Sequence, residues 1–346
     1  MLLYGEQIDK AAWRALVSGS ATGTWFQTPE AYAFLQTQGS VLQVFAVALQ
    51  REGDAGLAGV CVGYVTRERS RLKQYFMRRA IIIGGACLAD DCRDEEVGLL
   101  MGEGLQQALP SERLLQPIYI ETRNFNDYSR WREAFARAGF AYEPHLNIRV
   151  DCRDKEQMWS RLSDTRKKQI RRAERNGVQV RPAANEQEVR AWYRILRKMY
   201  RERVKLPLWP ESLFVDAYLS GAAQYTMVCY GEQVIGGLMS VRDEKCVYEW
   251  YECGLDSHYE QHYPSVMATF AGMDQANKLG LQRCDFMGAG VPGVPYGVRD
   301  FKERFGGETV EHGRFLNVRE PKLFAFGKAC IRLLQTKIAH FPKKKV

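Results

Sequence analysis

One succession of hydrophobic patterns occurs twice along this chain, and it limits the fold more than any single motif. In the first half, apolar, strand-like runs cover Val41–Ala48, Gly59–Thr66 and Ala80–Leu88. A helical period follows from Glu95 to Leu109, then a strand from Pro117 to Thr122, a helix from Tyr128 to Ala138 stopped by Gly139, and a last strand from His145 to Val150. In the second half the strands are Tyr225–Tyr230, Val234–Val241 and Val247–Leu255. A helix from Pro264 to Leu279, a strand from Arg283 to Met287, a short helix from Val298 to Phe305 and a strand from Arg314 to Val318 complete it. Strand, strand, strand, helix, strand, helix, strand thus recurs at a spacing of about 170 to 180 residues, as a duplicated α/β (α+β) unit leaves it. "FARAGF" (Phe135–Phe140) sits where "FKERFGG" (Phe301–Gly307) sits, and "HLNIRV" where "HGRFLNV" sits. The expected division is 1–150, 151–320 with a basic helical linker at 156–220, and a tail at 321–346.

The linker predicts three helices. Ser163 or Asp164 caps one that runs to Asn176, with Gly177 as its left-handed stop. Glu186–Arg203 carries Val189, Trp192, Leu196, Met199 and Tyr200 on one face, and Glu211–Leu219 follows the break "LPLWP". In the tail, Leu323, Phe326, Cys330, Leu334, Ile338 and Phe341 make an apolar stripe beside Lys328, Arg332 and Lys337. No apolar run reaches the ~18 to 20 residues that span a bilayer. The first ten residues do not read as a secretory signal. Nine scattered cysteines without a Cys-x-x-Cys pair predict free thiols in a reducing, cytoplasmic setting.

Charge is concentrated. Net charge is +8, yet 161–205 holds fifteen Lys/Arg against five Asp/Glu, and 321–346 holds seven Lys/Arg and no acid. The remainder is net negative, so two local basic surfaces are implied, suited to phosphate, tRNA or lipid head groups.

Four stretches carry a family resemblance: "TWFQTPEAYAFLQ" (Thr24–Gln36), "SDTRKKQIRRAERNGVQV" (Ser163–Val180), "HYPSVMATFAGMDQANKLG" (His262–Gly280) and "CDFMGAG…YGVRDFKERFGG" (Cys284–Gly307). The last is the most specific. Over nearly its whole length the chain resembles the Fem family of peptidoglycan-bridge aminoacyltransferases, in the form without a helical arm. The resemblance implies two tandem GNAT domains. It implies transfer of an amino acid from aminoacyl-tRNA to an amine of a lipid- or UDP-linked muropeptide, with neither cofactor nor metal nor DNA partner; separately, the basic amphipathic tail fits either contact with an anionic inner leaflet or packing on the body of the protein. Through the matching Phe-Lys pair, the resemblance implies that Phe301 and Lys302 handle the aminoacyl end and the transition state.

A CoA-dependent GNAT places a glycine-rich loop before its central helix, whose backbone N–H groups hold the pyrophosphate. Here those positions read "ADDCRDEE" (Ala89–Glu96) and "DSHYEQHYPS" (Asp256–Ser265), both glycine-free, which disfavours CoA. Amide formation needs positioning, loss of an amine proton and stabilisation of an oxyanion. Lys302 is the candidate for charge stabilisation; Asp285 and Glu249 are candidates for proton transfer. Alternation puts Glu249 and Tyr251 on one face of their strand and Tyr248, Trp250 and Glu252 on the other. Arg166, Lys168, Arg171 and Arg172 are candidates for phosphate contacts, and Tyr296 and Arg299 for the same ligand. His258 and His262 lack a third metal ligand, and Gly-x-Ser-x-Gly and Walker-type elements are absent. Two other readings fit the residues: an N-acyltransferase using a CoA or carrier-protein thioester, and a non-enzymatic binder of RNA or anionic lipid.

Overall fold

The computed structural model describes residues 1–53 and 55–339. The strands are β1 (Leu2–Tyr4), β2 (Leu42–Gln50), β3 (Leu57–Thr66), β4 (Ala80–Gly84), β5 (Cys87–Leu88), β6 (Tyr119–Asn124), β7 (Ala141–Glu143), β8 (Leu146–Asp151), β9 (Val178–Pro182), β10 (Gln224–Tyr230), β11 (Gln233–Arg242), β12 (Cys246–Gly254), β13 (Arg283–Gly288), β14 (Glu308–Glu311) and β15 (Arg314–Val318). The helices are α1 (Lys10–Gly19), α2 (Pro29–Gln36), α3 (Arg71–Met77), α4 (Asp94–Leu99), α5 (Leu105–Ala108), α6 (Arg132–Arg137), α7 (Lys155–Arg161), α8 (Asp164–Arg175), α9 (Glu186–Met199), α10 (Glu211–Leu219), α11 (Pro264–Lys278), α12 (Gly297–Glu303) and α13 (Pro321–Ala339). A π-helical turn continues α4 at Leu100–Gly104 and another continues α9 at Tyr200–Val204. The tail stripe beyond Cys330, including Phe341, lies outside the residues whose side chains are described.

Two sheets form, each the core of one unit. The first has the order β1-β2-β3-β4-β6-β15-β7, with β5 pairing back onto β3; the second is β14-β8-β13-β12-β11-β10-β9. Each has one parallel pair at its centre, β4 with β6 and β12 with β13, in otherwise antiparallel sheets. The repeat read in the sequence is therefore real. The linear division at 150 and 320 differs from the packing, because the last strand of each half belongs to the other sheet. β8 lies beside β13 in the second sheet, and β15 lies beside β6 in the first. The compact units are Met1–Glu143 with Gly313–Val346, and Pro144–His312. Periodicity marks a strand and its inward face, but carries no information on which sheet edge receives it.

In the first unit, the predicted strand Ala80–Leu88 is interrupted. Gly84 and Gly85 adopt φ of 84° and 83°, a region that glycine enters without a Cβ penalty. Tyr128 Oη donates to Ala86 O at 2.6 Å, holding the chain that leaves β4. The "TWFQTPEAYAFLQ" stretch explains itself in the same place. Thr28 caps α2, with Pro29 in its first turn, and Gln27 is buried between β3 and β4. The Gln27 amide donates to Val62 O (3.0 Å) and Ile83 O (2.9 Å) and accepts from Val62 N (2.8 Å), replacing ladder bonds where the two strands diverge. β15 is fastened to the core by Phe315, whose ring stacks on Phe135 at 4.0 Å and 6°. Arg314 pairs with Glu121 on the neighbouring strand.

In the second unit, Ser163 caps α8, and Ile170 and Ala173 turn inward toward Ile148, Val150, Phe286 and Phe305. Val189, Trp192 and Leu196 of α9 are buried, as their spacing predicts. Phe315→Ala is expected to lower unfolding free energy by about 3–5 kcal/mol, the usual range for deleting a buried ring. Denaturant melts that follow each unit by local probes check this, with the loss appearing first in the Met1–Glu143 unit.

Candidate functional site

β12 and β13 run side by side for only three paired positions, Cys246↔Arg283, Val247↔Cys284 and Tyr248↔Asp285. Beyond them both strands bulge. β12 slips against β11 at Trp250, since Ser240 faces Glu249 and Met239 faces Tyr251. β13 slips against β8 between Asp285 and Gly288, and Met287 takes a φ of 60°, a strained region for a residue with a side chain. Two bulges bending neighbouring strands apart leave an opening with unpaired backbone groups on its edge.

Lys302, from α12, fills that need. The side chain is buried, and Nζ donates to Phe286 O at 2.5 Å and Gly288 O at 3.1 Å. An ammonium has three protons, so one donor remains. Its charge favours the ionised forms of both Glu249 and Asp285. Phe301 is half-buried beside it. The Arg166 guanidinium lies 4.2 Å from the Phe301 ring centroid and 4.8 Å from that of Phe305. Arg166 also donates to Gln169 Oε1 (2.6 Å) and Phe301 O (3.1 Å), and is buried. Burial, with the nearby Arg304, lowers its pKa to about 10. Arg166 therefore locks α8 onto α12 instead of facing a phosphate at the surface. The helix phase that turns Ile170 and Ala173 inward turns Arg166 inward too. Lys168, Arg171 and Arg172 remain on the exposed side of α8, with Arg171 over the Trp159 ring at 5.4 Å.

The bulge at Trp250 changes the expected faces of β12. Glu249 and Glu252 share a face, against α11, where strict alternation separates them. Glu252 Oε2 accepts from Thr269 Oγ1 at 2.7 Å. Glu249 lies so close to Gly272 that a Cβ there would meet Oε1 at 2.2 Å. Cys284 Sγ approaches Glu249 Oε1 at 3.5 Å, and Oε2 has no hydrogen-bond partner among the described residues. Burial first, then the neighbouring Glu252 charge, holds Glu249 well above the usual carboxylate range. Tyr251 faces the other way, its ring 5.1 Å from that of Phe214.

Asp285 follows Cys284 along β13 and so points to the opposite face of the sheet from Glu249. It is 1% exposed and accepts from Met287 N at 2.6 Å. Burial pushes its carboxyl up to about 6, against the pull of the Met287 amide and of Arg283, Arg149 and Lys302. The two acidic candidates are thus separated by the sheet, and burial raises both carboxyls. Arg299 is occupied within the protein, donating to the carbonyls of Ala289 (2.9 Å), Val291 (2.9 Å) and Val294 (2.7 Å). That ties down the loop before α12, on which Tyr296 is exposed. A cleft of about 840 Å³ lies elsewhere on the second unit, beside β9, β10 and α11, and Lys302, Asp285 and Glu249 do not line it.

Sequence reasoning missed Thr269 and Asp256, and placed Glu252 on the face opposite Glu249. The only signal was the three-residue spacing of Glu249 and Glu252, which suits one face of a strand only if that strand bulges. Asp256 caps the N-terminus of α11: its carboxylate accepts from Ser265 N (3.1 Å) and Ser265 Oγ (2.5 Å). Pro264 removes a further N–H from that turn. In the first unit, Glu96 closes the start of α4 by accepting from Arg93 N at 2.9 Å, and also pairs with Arg51. Asp256 takes one N–H at the start of α11, and Glu96 takes that of Arg93 just ahead of α4, so each helix start at which a GNAT would seat pyrophosphate already carries a carboxylate.

The sequence pattern of the acetyltransferase (GNAT) domain matches residues 160–303. No curated protein matches the chain in sequence. Among solved structures, that of FemX superposes with a TM-score of 0.70 at 12% identity, covering 94% of this chain and 99% of FemX. The C-terminal domain of a putative lysylphosphatidylglycerol synthetase from Agrobacterium fabrum gives 0.53 at 10% identity, over 93% and 96%. A tandem GNAT protein from the clavulanic acid biosynthesis pathway gives 0.51 at 9% identity, over 91% and 98%. The chain has the Fem-like tandem GNAT fold that the motifs led us to expect.

Because Asp285 has a higher pKa folded than unfolded, its burial opposes folding once it ionises. The cost is absent below about pH 4 and complete above about pH 6, where a shift of this size is worth roughly 3 kcal/mol. Asp285→Asn is expected to become progressively more stable than wild type across pH 4 to 6. Melting temperatures of both proteins measured through that window check the sign.

Proposed function

We propose that the protein is an acyltransferase that moves an aminoacyl group from aminoacyl-tRNA to an amine of a cell-wall precursor, lipid- or UDP-linked, in the cytoplasm. The observation that carries this reading is the pairing of a buried ammonium at the strand opening with helix N-termini that already carry carboxylates. The first suits an acyl-transfer transition state; the second disfavours a CoA donor and leaves an ester donor held by other means. The Fem resemblance supplies the identity of donor and acceptor, and the FemX-like fold is consistent with it.

The acceptor amine attacks the ester carbonyl, forming a C–N bond and a tetrahedral oxyanion. The remaining proton of Lys302 Nζ stabilises that oxyanion, with the other two fixed on Phe286 O and Gly288 O so that the donor does not reorganise during reaction. The amine gives up one proton, for which Asp285, poised near neutrality, is the acceptor of choice. Glu249 lies on the other face of the sheet, where burial holds its carboxyl well above the usual range, and takes no part in this proton transfer. The oxyanion then collapses, the C–O bond to the tRNA ribose breaks, and the leaving ribose oxygen takes the proton that Asp285 received. Lys168, Arg171 and Arg172 on the open side of α8 hold phosphates of the donor or acceptor.

The test compares binding of charged tRNA, uncharged tRNA and acetyl-CoA at one fixed salt concentration, since phosphate contacts weaken steeply with salt. Charged tRNA is expected to bind in preference to uncharged, and acetyl-CoA not to compete. Lys302→Met is expected to reduce turnover by about 10²–10³-fold, the usual effect of losing one oxyanion donor. Tight, saturable acetyl-CoA binding would instead identify a thioester-dependent N-acyltransferase.

A further inference from the structure

The first unit exposes large apolar side chains where α3 meets the start of α13. Leu72 is 71% exposed and Phe326 55%, and Tyr75, Phe76 and Met77 are also exposed. The rings of Phe76 and Phe326 are in contact, with centroids 5.7 Å apart, so the two helices present one continuous patch and not scattered residues. Buried anchors fix that patch rigidly. Gln74 of α3 donates to Thr66 O (3.2 Å) and Leu114 O (3.0 Å). Arg78, fully buried, donates to Gln116 O and pairs with Glu320 immediately before α13. Phe324 packs edge-on against Tyr119 at 5.2 Å. This helix of about two turns thus holds its apolar side outward although it has buried partners on the other side. Exposed apolar clusters of this kind mark interaction surfaces.

The surrounding charge says which kind. Arg69, Arg71 and Lys73 on α3 and Lys322 and Lys328 on α13 are exposed around the patch. Neither Arg69–Arg79 nor Pro321–Cys330 contains an acidic residue, and the adjacent loop contributes Glu112 and Arg113, which offset one another. Aromatic and aliphatic side chains ringed by an excess of cations, with the flanking Glu320 neutralised by Arg78, match an anionic bilayer surface: the apolar side chains enter the head-group boundary while the cations meet lipid phosphates. Among the described residues no helix is long and apolar enough to cross a membrane. We propose that this α3–α13 face docks the protein peripherally on anionic lipid, with α3 as a wedge that the sequence pattern of the tail alone does not reveal.

The experiment sediments the full-length protein with vesicles of phosphatidylcholine alone or with added phosphatidylglycerol. Binding is expected only to the anionic vesicles. Phe76→Glu with Phe326→Glu, and separately Arg71→Glu with Lys73→Glu, are each expected to weaken it by at least ~tenfold, since each cation near an anionic surface contributes about fivefold. All four positions are exposed, and unchanged thermal melts verify the fold. Phe76→Trp provides a direct reading, with emission shifting to the blue on anionic vesicles as the ring leaves water. Equal binding by all variants, or no spectral shift, would overturn the proposal. So would light scattering that shows wild-type dimers dissociated by Phe76→Glu with Phe326→Glu in the absence of lipid, which would assign the face to a second copy of the chain.

Discussion

Parallel strands that diverge must leave backbone carbonyls without partners, and the second unit is organised around one answer to that constraint. β12 and β13 can share a ladder for three residue pairs before bulges carry them apart. The carbonyls of Phe286 and Gly288 then need a donor inside the protein, and Lys302 brings it from α12. That requirement ties several features together. α12 must lie where its lysine reaches β13, so Arg166 packs between α8 and the rings of Phe301 and Phe305, and Arg299 draws in the loop carbonyls ahead of the helix. The positive φ at Met287 marks the local strain of the bend. In the first unit a neutral group, Gln27, replaces ladder bonds where the antiparallel strands β3 and β4 part.

Helix termini give a second contrast between fold and function. The GNAT arrangement offers an anion site at the start of its central helix, through free N–H groups. Here Asp256 with Ser265, and Glu96 with Arg93, consume part of that capacity. A carboxylate already seated at a helix start stabilises the helix and repels a second anion there. A fold shared with CoA-dependent enzymes does not by itself carry their donor.

Much of this was legible in the sequence. The doubled order of elements, the cap at Ser163, the buried stripe of α9 and the Phe-Lys pair follow from periods, caps and motif. What was hidden depended on contacts between distant residues. β8 and β15 read as strands, but their sheets are set by pairing partners far along the chain. The faces of β12 were misassigned because a bulge resets alternation, and nothing local announces it beyond two glutamates three residues apart. Arg166 sat in a run of cations that looked solvated; only its packing under two phenylalanines shows that it is a buried link. Asp285 and Glu249 looked interchangeable as proton acceptors, yet the sheet lies between them, and each is raised by burial in a different setting.

The central claim is that the Lys302 ammonium holds the diverging end of β13 and thereby builds the site. Amide hydrogen exchange in Lys302→Met compared with wild type tests it most directly. The amides of Leu146 and Ala289, which bond Gly290 O at 2.8 Å and Leu146 O at 2.7 Å beside the opening, report on that end of the strand. The account predicts that these two, with their neighbours in β13 and α12, lose protection selectively while β10 and β11 keep theirs. Unchanged protection at Leu146 and Ala289 would contradict it, and would make Lys302 a passenger of a strand opening held by other contacts.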